Sequence, residues 1–148
     1  MKIGISGDHN AKSLIDELLS SDMSLIDYRE QQVKEIDYTD AVKKVLVALR
    51  SGVIDRAVVV CGTGTGVMIT ANKYEKVYCD KCSTISEVKS ARIHNNINCL
   101  ALGAGYNGKK ILTFKKAQAL IKAFIETEFD TAERRVRRFK KLQELDRR

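Results

Sequence analysis

Ten residues, Ala57-Val58-Val59-Val60-Cys61-Gly62-Thr63-Gly64-Thr65-Gly66, join an unbroken apolar run to a glycine-rich turn. The apolar half is rich in β-branched residues, which is typical of a strand buried on both faces of a parallel sheet. Apolar residues at helical spacing follow the turn, so the stretch predicts a strand, a turn and a helix over residues 67–73. Cys61 is therefore expected at the carboxyl end of a central strand.

The rest of the chain repeats this alternation of strand and helix. Short apolar, β-rich runs predict further strands at residues 2–6, 24–28 and 99–102 and near Val77. Apolar residues at helical spacing predict helices around residues 14–19, at 37–50 and 83–94, and two more near the C-terminus. We therefore expect an α/β fold: one Rossmann-like domain over residues 1–148, with three αβα layers around a five-stranded parallel sheet.

The positive charge is concentrated in a predicted basic helix at about residues 133–148. The formal charge is +7, and eight Lys or Arg stand against two Asp or Glu between residues 134 and 148, so the rest is nearly neutral. Such a helix suits a phosphate-binding element, a polyanion patch or a solvated surface. Aromatic residues make up only 6% of the chain, with no Trp, which disfavours stacking on bases. We expect no nucleic-acid partner.

The N-terminus and the cysteines indicate a cytoplasmic protein. Residues 1–6 turn at once to charge and glycine, unlike a secretory signal, and no apolar run approaches the roughly 20 residues of a membrane span. Four cysteines in such a chain are expected to be thiols. Cys79 and Cys82 form one CxxC, but zinc ligation or a redox pair remain minor alternatives because no second pair or matched histidines accompany it.

Three segments follow predicted strands at the edge of the sheet where doubly wound folds bind ligands: residues 7–9, 61–66 and 103–105. Cys61 would lie near backbone N–H groups and a helix N-terminus, which favour its thiolate. The alternatives are a buried hydrophobic cysteine, a purely structural turn, and hydrogen-bonded structural roles for His9 and His94. The turn lacks the pattern of a nucleotide-binding loop, so no nucleotide cofactor is expected.

These segments resemble the type B ribose 5-phosphate isomerase family, which includes the galactose 6-phosphate isomerase subunits. The resemblance runs in order over nearly the whole chain and implies an aldose–ketose isomerase that works through an enediolate without metal, nucleotide or other cofactor. Its motifs in this chain are KIGISGDH (2–9), IDYTD (36–40), VCGTGTG (60–66), ANK (71–73) and HNNINCLALG (94–103).

The resemblance also implies a role for each residue of the site. Cys61 would take the proton from C2 of the open-chain sugar and return it at C1, Thr63 would help to stabilise the oxyanion, and His94 would shuttle protons during ring opening. The loop would contribute backbone N–H groups, and other side chains would hold the sugar hydroxyls or lie near the phosphate. The substrate-binding residues so implied are Asp8, His9, Gly62, Gly64, Gly66 and Asn95.

The basic tail resembles the arginine-bearing tail of the family if one residue is inserted before Arg134. Arg134 and Arg138 then match the phosphate-binding positions, and their i, i+4 spacing puts both guanidinium groups on one helix face. Members of the family are homodimers in which this tail and the histidine segment complete the neighbouring subunit's site. We therefore expect a homodimer, or a dimer of such dimers, that acts on a small sugar phosphate.

Some residues depart from the family pattern near the expected substrate. Gly105 stands where many members carry an arginine after the last strand, and Tyr78, Ser83 and Thr84 also replace residues that are common in the family. Because Cys61 and His94 are both present, ribose 5-phosphate is the favoured substrate. The alternatives are a hexose 6-phosphate of the allose or galactose type, or a non-catalytic relative.

Overall fold

Five parallel strands form the central sheet of the computed structural model, which describes residues 1–30 and 34–146. Their order across the sheet is β2-β1-β3-β5-β4, so the predicted five-stranded parallel sheet is confirmed and β3 lies at its centre. The strands are β1 (Ile3–Gly7), β2 (Leu25–Asp27), β3 (Arg56–Cys61), β4 (Cys79–Lys81) and β5 (Cys99–Gly103).

Helices cover both faces of the sheet and give the three predicted layers. The first layer comprises α1 (Lys12–Leu19), α5 (Ile85–Asn95) and α6 (Phe114–Glu126). The second comprises α2 (Tyr38–Ala41), α3 (Lys43–Arg50) and α4 (Thr65–Ala71). A last helix, α7 (Glu133–Leu145), contacts α5 and has no buried residue.

Strand β3 shows why this sequence folds around its centre. All six of its residues are buried, and successive side chains point to opposite faces of the sheet. Val58 and Val60 pack in the core of the first layer, whereas Val59 and Cys61 pack in the core of the second. Burial of each such valine stabilises the fold by about 1.5–3 kcal/mol, which explains the unbroken apolar run.

The predicted helix over residues 37–50 is two helices in the structure. Val42 lies between them with φ −100° and ψ −2°, so α2 ends at Ala41 and α3 begins at Lys43. Val42 is nonetheless fully buried, and the apolar spacing continues across the break. The periodicity therefore located the buried face but not the interruption.

The fourth strand begins at Cys79, two residues after the predicted position near Val77. Lys76 has a positive φ of 65°, and the Tyr78 N–H donates to Asn98 Oδ1 at 2.8 Å rather than to a strand. Val77 is buried, but it belongs to the turn that leads into β4. Because Val77 is apolar and buried, the sequence pattern predicts a strand there, two residues before β4 begins.

A two-stranded hairpin follows β5 and was not predicted. Strands β6 (Gly105–Tyr106) and β7 (Lys109–Lys110) pair antiparallel around Asn107 and Gly108, whose φ values are 52° and 74°. Two successive positive φ values are typical of a type I′ turn, for which Asn-Gly is the preferred sequence.

The predicted basic helix corresponds to α7, and residues 147 and 148 of the prediction lie outside the described residues. The Phe139 ring packs edge-on against Tyr78 with the two centroids 5.0 Å apart, and the Asp146 carboxylate accepts the Lys76 N–H at 3.1 Å. These contacts hold α7 beside the segment that precedes β4. Within residues 1–30 and 34–146, no helix is long and apolar enough to cross a bilayer.

Candidate active site

The carboxyl ends of β1 and β3 lie side by side at the point where the strand order reverses. The chain proceeds outward from β1 to β2 and then returns to place β3 on the other side of β1. Asp8 follows β1 directly, and its N–H donates to Val60 O at 3.2 Å, which brings it next to Cys61 along the sheet edge. Ligands of open α/β sheets bind at such switch points.

Cys61 ends β3 with its sulfur held by the glycine-rich loop. The Gly64 N–H donates to Cys61 Sγ at 3.1 Å, and the cysteine is only 4% exposed. Gly64 has φ 82°, a conformation that favours glycine and turns this N–H back toward the sulfur. The sulfur therefore lies at the end of the strand with a backbone hydrogen-bond donor directed at it.

The loop that follows Cys61 packs tightly against β5 on one side and is exposed to solvent on the other. Thr63 is exposed, and its Oγ1 accepts the Thr65 N–H at 3.2 Å. A Cβ on Gly103 would lie 2.6 Å from Thr63 O, so the loop needs glycine beneath it. The N–H groups of Gly64 and Thr65 thus have partners within the protein, whereas the Gly66 N–H lies in the first turn of α4, where amides lack an intrahelical acceptor.

Asp8 is a buried carboxylate at this edge. It is 8% exposed, and its Oδ1 accepts the Asn10 N–H at 3.0 Å. Burial raises the pKa of Asp8 above its usual value, and the Asn10 N–H and the neighbouring His9 offset part of that shift. His9 is exposed and lines two cavities, of about 110 Å³ and about 370 Å³, on either side of the turn that follows β1.

His94 and Asn95 lie at the opposite, amino-terminal edge of the sheet. They form the end of α5, and both are exposed. The chain then enters β5 through Asn98, whose backbone O accepts the Ala57 N–H at 3.0 Å. Ala57 and Cys61 are separated by about 13 Å along β3, at roughly 3.3 Å per residue. The structure therefore does not bring His94 and Cys61 of one chain together.

Arg134 and Arg138 lie on α7, on the same side of the molecule as His94. The Asp130 N–H donates to Ile93 O at 3.1 Å, which places the start of this helix beside the end of α5. Both arginines are exposed, and within the described part of the chain neither forms an ion pair, whereas Arg137 pairs with Glu133 at 2.9 Å. Two exposed cations one turn apart can bind one phosphate dianion.

Two buried arginines, Arg92 and Arg56, stabilise this edge by hydrogen bonds. The sequence analysis did not identify them. Arg92 donates from Nε to Thr127 O at 3.0 Å and from Nη1 to Asn96 Oδ1 at 3.0 Å, so it ties the end of α5 to the segment before α7. Arg56 donates to Ile125 O at 3.1 Å. Burial, followed by the repulsion between the two guanidinium groups, lowers the pKa of Arg92 to about 10.

Other contacts at the carboxyl edge were also missed. A Cβ on Gly66 would lie 2.9 Å from the Tyr38 ring, which therefore covers the start of α4. Lys81 Nζ lies 3.5 Å from Thr65 Oγ1 and puts a positive charge beside the loop. Tyr38 belongs to a motif that the resemblance had already marked, but periodicity assigns no role to an isolated aromatic or lysine.

Cys79 and Cys82 do not have the surroundings of a redox pair. The Cys99 side chain and burial raise the pKa of Cys79 well above its ordinary value. Burial and the neighbouring Asp80 raise the pKa of Cys82 to about 12. These shifts favour the thiol form of both groups at neutral pH, whereas attack in thiol–disulfide exchange requires a thiolate.

Comparison of the sequence and the fold with known proteins identifies the family of this chain. The sequence profile of the Ribose/Galactose Isomerase family matches residues 3–142, nearly the whole chain. The chain belongs to that family. Ribose/galactose isomerases act on sugar phosphates, so the protein is a sugar-phosphate isomerase, and the resemblance inferred from the motifs is confirmed.

Individual relatives of the ribose/galactose isomerase family agree in fold and length. The structure of ribose-5-phosphate isomerase B from Clostridium thermocellum is 32% identical, covers 99% of this chain and 98% of its own, and superimposes with a TM-score of 0.85. The chain is 30% identical over 137 residues to D-erythrulose-4-phosphate isomerase 2 of Mycolicibacterium smegmatis, covering 88% of this chain and 87% of that protein. It is 25% identical over 133 residues to ribose-5-phosphate isomerase B of Escherichia coli, covering 87% and 86%.

Proposed function

We propose that the protein interconverts an aldose phosphate and its ketose through an enediolate, with Cys61 as the base and ribose 5-phosphate as the first candidate substrate. The observation that carries this proposal is the Gly64 N–H donated to Cys61 Sγ at 3.1 Å at the carboxyl end of the central strand. A cysteine thiolate at this position can act as a general base that accepts a carbon-bound proton.

The proton transfer needs only groups that the chain supplies. The Cys61 thiolate takes the proton from C2 of the open-chain aldose, the electron pair of that C–H bond forms the C1–C2 double bond, and O1 becomes an oxyanion. Backbone N–H groups of the loop, including that of Gly66, and the Thr63 hydroxyl stabilise this charge. The proton of the C2 hydroxyl then moves to O1, the Cys61 thiol returns its proton to C1, and the electron pair left on O2 forms the carbonyl group of the ketose.

Each complete site is assembled from two subunits in this proposal. The Cys61 edge of one subunit contributes the base, the loop and the Asp8 carboxylate. The other edge of a second subunit contributes His94 for ring opening and the Arg134–Arg138 pair for the phosphate. The separation of about 13 Å along β3 between the two edges supports a homodimer, because one chain alone cannot place both groups on one sugar.

A second candidate substrate is a four-carbon sugar phosphate, since the Mycolicibacterium smegmatis relative is named as a D-erythrulose-4-phosphate isomerase. Hexose 6-phosphates of the allose or galactose type form a third candidate. All three substrates would use the same proton transfer at C1 and C2. They differ in the distance between the reacting carbons and the phosphate.

The test is a substrate panel with the purified protein alone. We expect isomerisation of ribose 5-phosphate with the highest kcat/KM, followed by D-erythrulose 4-phosphate and then allose and galactose 6-phosphates. Solvent deuterium should enter at C1 or C2 during turnover, because the proton resides on Cys61 between the two steps. A higher kcat/KM on another member of the panel would reassign the substrate, and no turnover of any member would contradict the proposed reaction.

A further inference from the structure

The β6–β7 hairpin forms a wall beside the loop that carries Cys61. The Gly105 N–H donates to Gly62 O at 2.9 Å, and a Cβ on Gly62 would lie 3.1 Å from Tyr106 Cβ. The same Cβ would lie 3.5 Å from Asn10 Nδ2, so the hairpin and the turn after β1 meet over Gly62. Anything bound at the end of β3 lies close to this hairpin.

Gly105 cannot carry a side chain in this conformation. Its φ is 120°, and a Cβ there would lie 1.9 Å from Lys109 O on the facing strand. A larger residue at this position would therefore require the hairpin to open. Any positive charge that this wall offers to a ligand must come from another position of the hairpin.

The pairing of the hairpin directs its two lysines to opposite faces. Tyr106 stands opposite Lys109, and Gly105 stands opposite Lys110. Residues directly opposite in an antiparallel pair share a face, so Lys109 lies on the face of Tyr106, which contacts the Gly62 position. Lys110 lies on the other face and its Nζ contacts Glu17 Oε1 at 3.3 Å.

Lys109 and His9 line one cavity. It has a volume of about 370 Å³, and its other walls include Asn10, Tyr106 and Lys110. Within residues 1–30 and 34–146, Lys109 forms no ion pair, so its ammonium group is available to an anion. A lysine on a flexible stem beside a histidine and a polar amide suits a phosphate group, which lysine binds as a point charge.

We propose that Lys109 is a substrate-binding residue that contacts the phosphate group of the sugar from the hairpin, on the same side as His9. This inference rests on the proposed function for the identity of the sugar, but not for the binding of phosphate. In the assembled site, Lys109 and the Arg134–Arg138 pair of a second subunit would hold the phosphate from two sides. The hairpin would then help to set how far the phosphate lies from Cys61.

The test uses inorganic phosphate as the probe and three variants of the whole protein. Lys109→Met removes the charge and keeps the stem, Lys109→Arg keeps the charge, and Lys115→Met removes an exposed charge that lies outside the lining of the cavity. We expect Lys109→Met to raise the Kd for phosphate, measured by calorimetry, and the KM of the preferred sugar phosphate about tenfold, or about 1.4 kcal/mol. Lys109→Arg should stay within about threefold of the wild type, and Lys115→Met should match the wild type.

Several results would overturn the inference. These are unchanged phosphate binding in Lys109→Met, an equal loss in Lys115→Met, or no saturable phosphate binding by the wild type. Turnover with an unchanged KM in Lys109→Met would reject the role of Lys109 and leave the proposed isomerase intact. Loss of phosphate binding in Lys109→Met by a protein that isomerises no sugar phosphate would reject the proposed reaction and keep the phosphate site.

Discussion

The two edges of the sheet differ in how they hold their functional groups. At the carboxyl edge, Cys61 and Asp8 are buried, and backbone N–H groups bond to both side chains. At the amino-terminal edge, the side chains of His94, Arg134 and Arg138 are exposed, and the structure is held by Arg92 beneath them. The functional side chains of the carboxyl edge are thus buried and hydrogen-bonded within the chain. The basic side chains of the amino-terminal edge are exposed at the surface.

We infer from this difference that each edge is half of a site. In the proposed function, the carboxyl edge provides the base and the oxyanion donors, and the other edge provides the proton shuttle and the phosphate clamp. Neither half has the full set of groups for the proposed reaction. Two copies arranged with unlike edges facing each other would have both sets at each of two sites, as an isologous dimer allows.

Removal of the base should have the largest effect. We expect Cys61→Ala to lower kcat by about 10²–10⁴-fold or more, because the proposed reaction transfers the C2 proton through the Cys61 sulfur. Substrate binding should remain, since the phosphate clamp is on the other edge. Isomerisation assays with Cys79→Ser as the matched control, a buried thiol outside the site, should show nearly normal turnover for the control. Near-normal turnover in Cys61→Ala would contradict the assignment of Cys61 as the base.

Removal of the clamp should have the next largest effect. Replacing Arg134 and Arg138 with Ala should raise KM by about tenfold to a hundredfold and also lower kcat, because hydrogen bonds to charged groups contribute about 1.5–3 kcal/mol and position the reacting carbons. The matched control is Lys140→Ala with Lys141→Ala, which removes the same charge from the same helix. An equal rise in KM for both pairs of substitutions would contradict a specific clamp and indicate a general effect of positive charge on this helix.

The substitution of Asp8 should have the smallest effect of the three, and we expect it in the free energy of unfolding. Because burial raises its pKa in the folded state, its contribution to stability is greatest below the unfolded pKa of about 3.9 and is lost as pH rises through the folded value. Asp8→Asn should therefore be at least as stable as the wild type at pH 7, with the difference shrinking toward pH 3. Urea unfolding across this range measures it. A difference that does not vary with pH would contradict the burial argument.

Much of the carboxyl edge could be predicted because its signals are local. The apolar run of residues 57–61, the three alternate glycines after it and the helical spacing beyond define a buried strand, a turn and a helix in consecutive residues. The charged groups at the other edge were also identified, but from motifs. The resemblance, and not periodicity, assigned roles to His94 and Arg134.

The features that were missed depend on contacts between distant segments. Arg92 is 3% exposed although it is charged, because it packs against a distant segment whose Thr127 O accepts its Nε–H, and no local pattern reveals such a partner. The break at Val42 lies within a continuous apolar face. The hairpin was different, because Asn107-Gly108 is a strong local turn signal from which it could have been predicted.

The most direct test of two half-sites per chain is a mixing experiment. Cys61→Ala protein retains an intact clamp, and Arg134→Ala/Arg138→Ala protein retains an intact base, so a mixed dimer contains one site with both intact halves. After subunit exchange, verified by native mass spectrometry, activity at substrate concentrations below the wild-type KM should recover to roughly a quarter of the wild-type value. Mixed dimers no more active than the sum of the two separate variants would contradict the account and place the whole site within one chain.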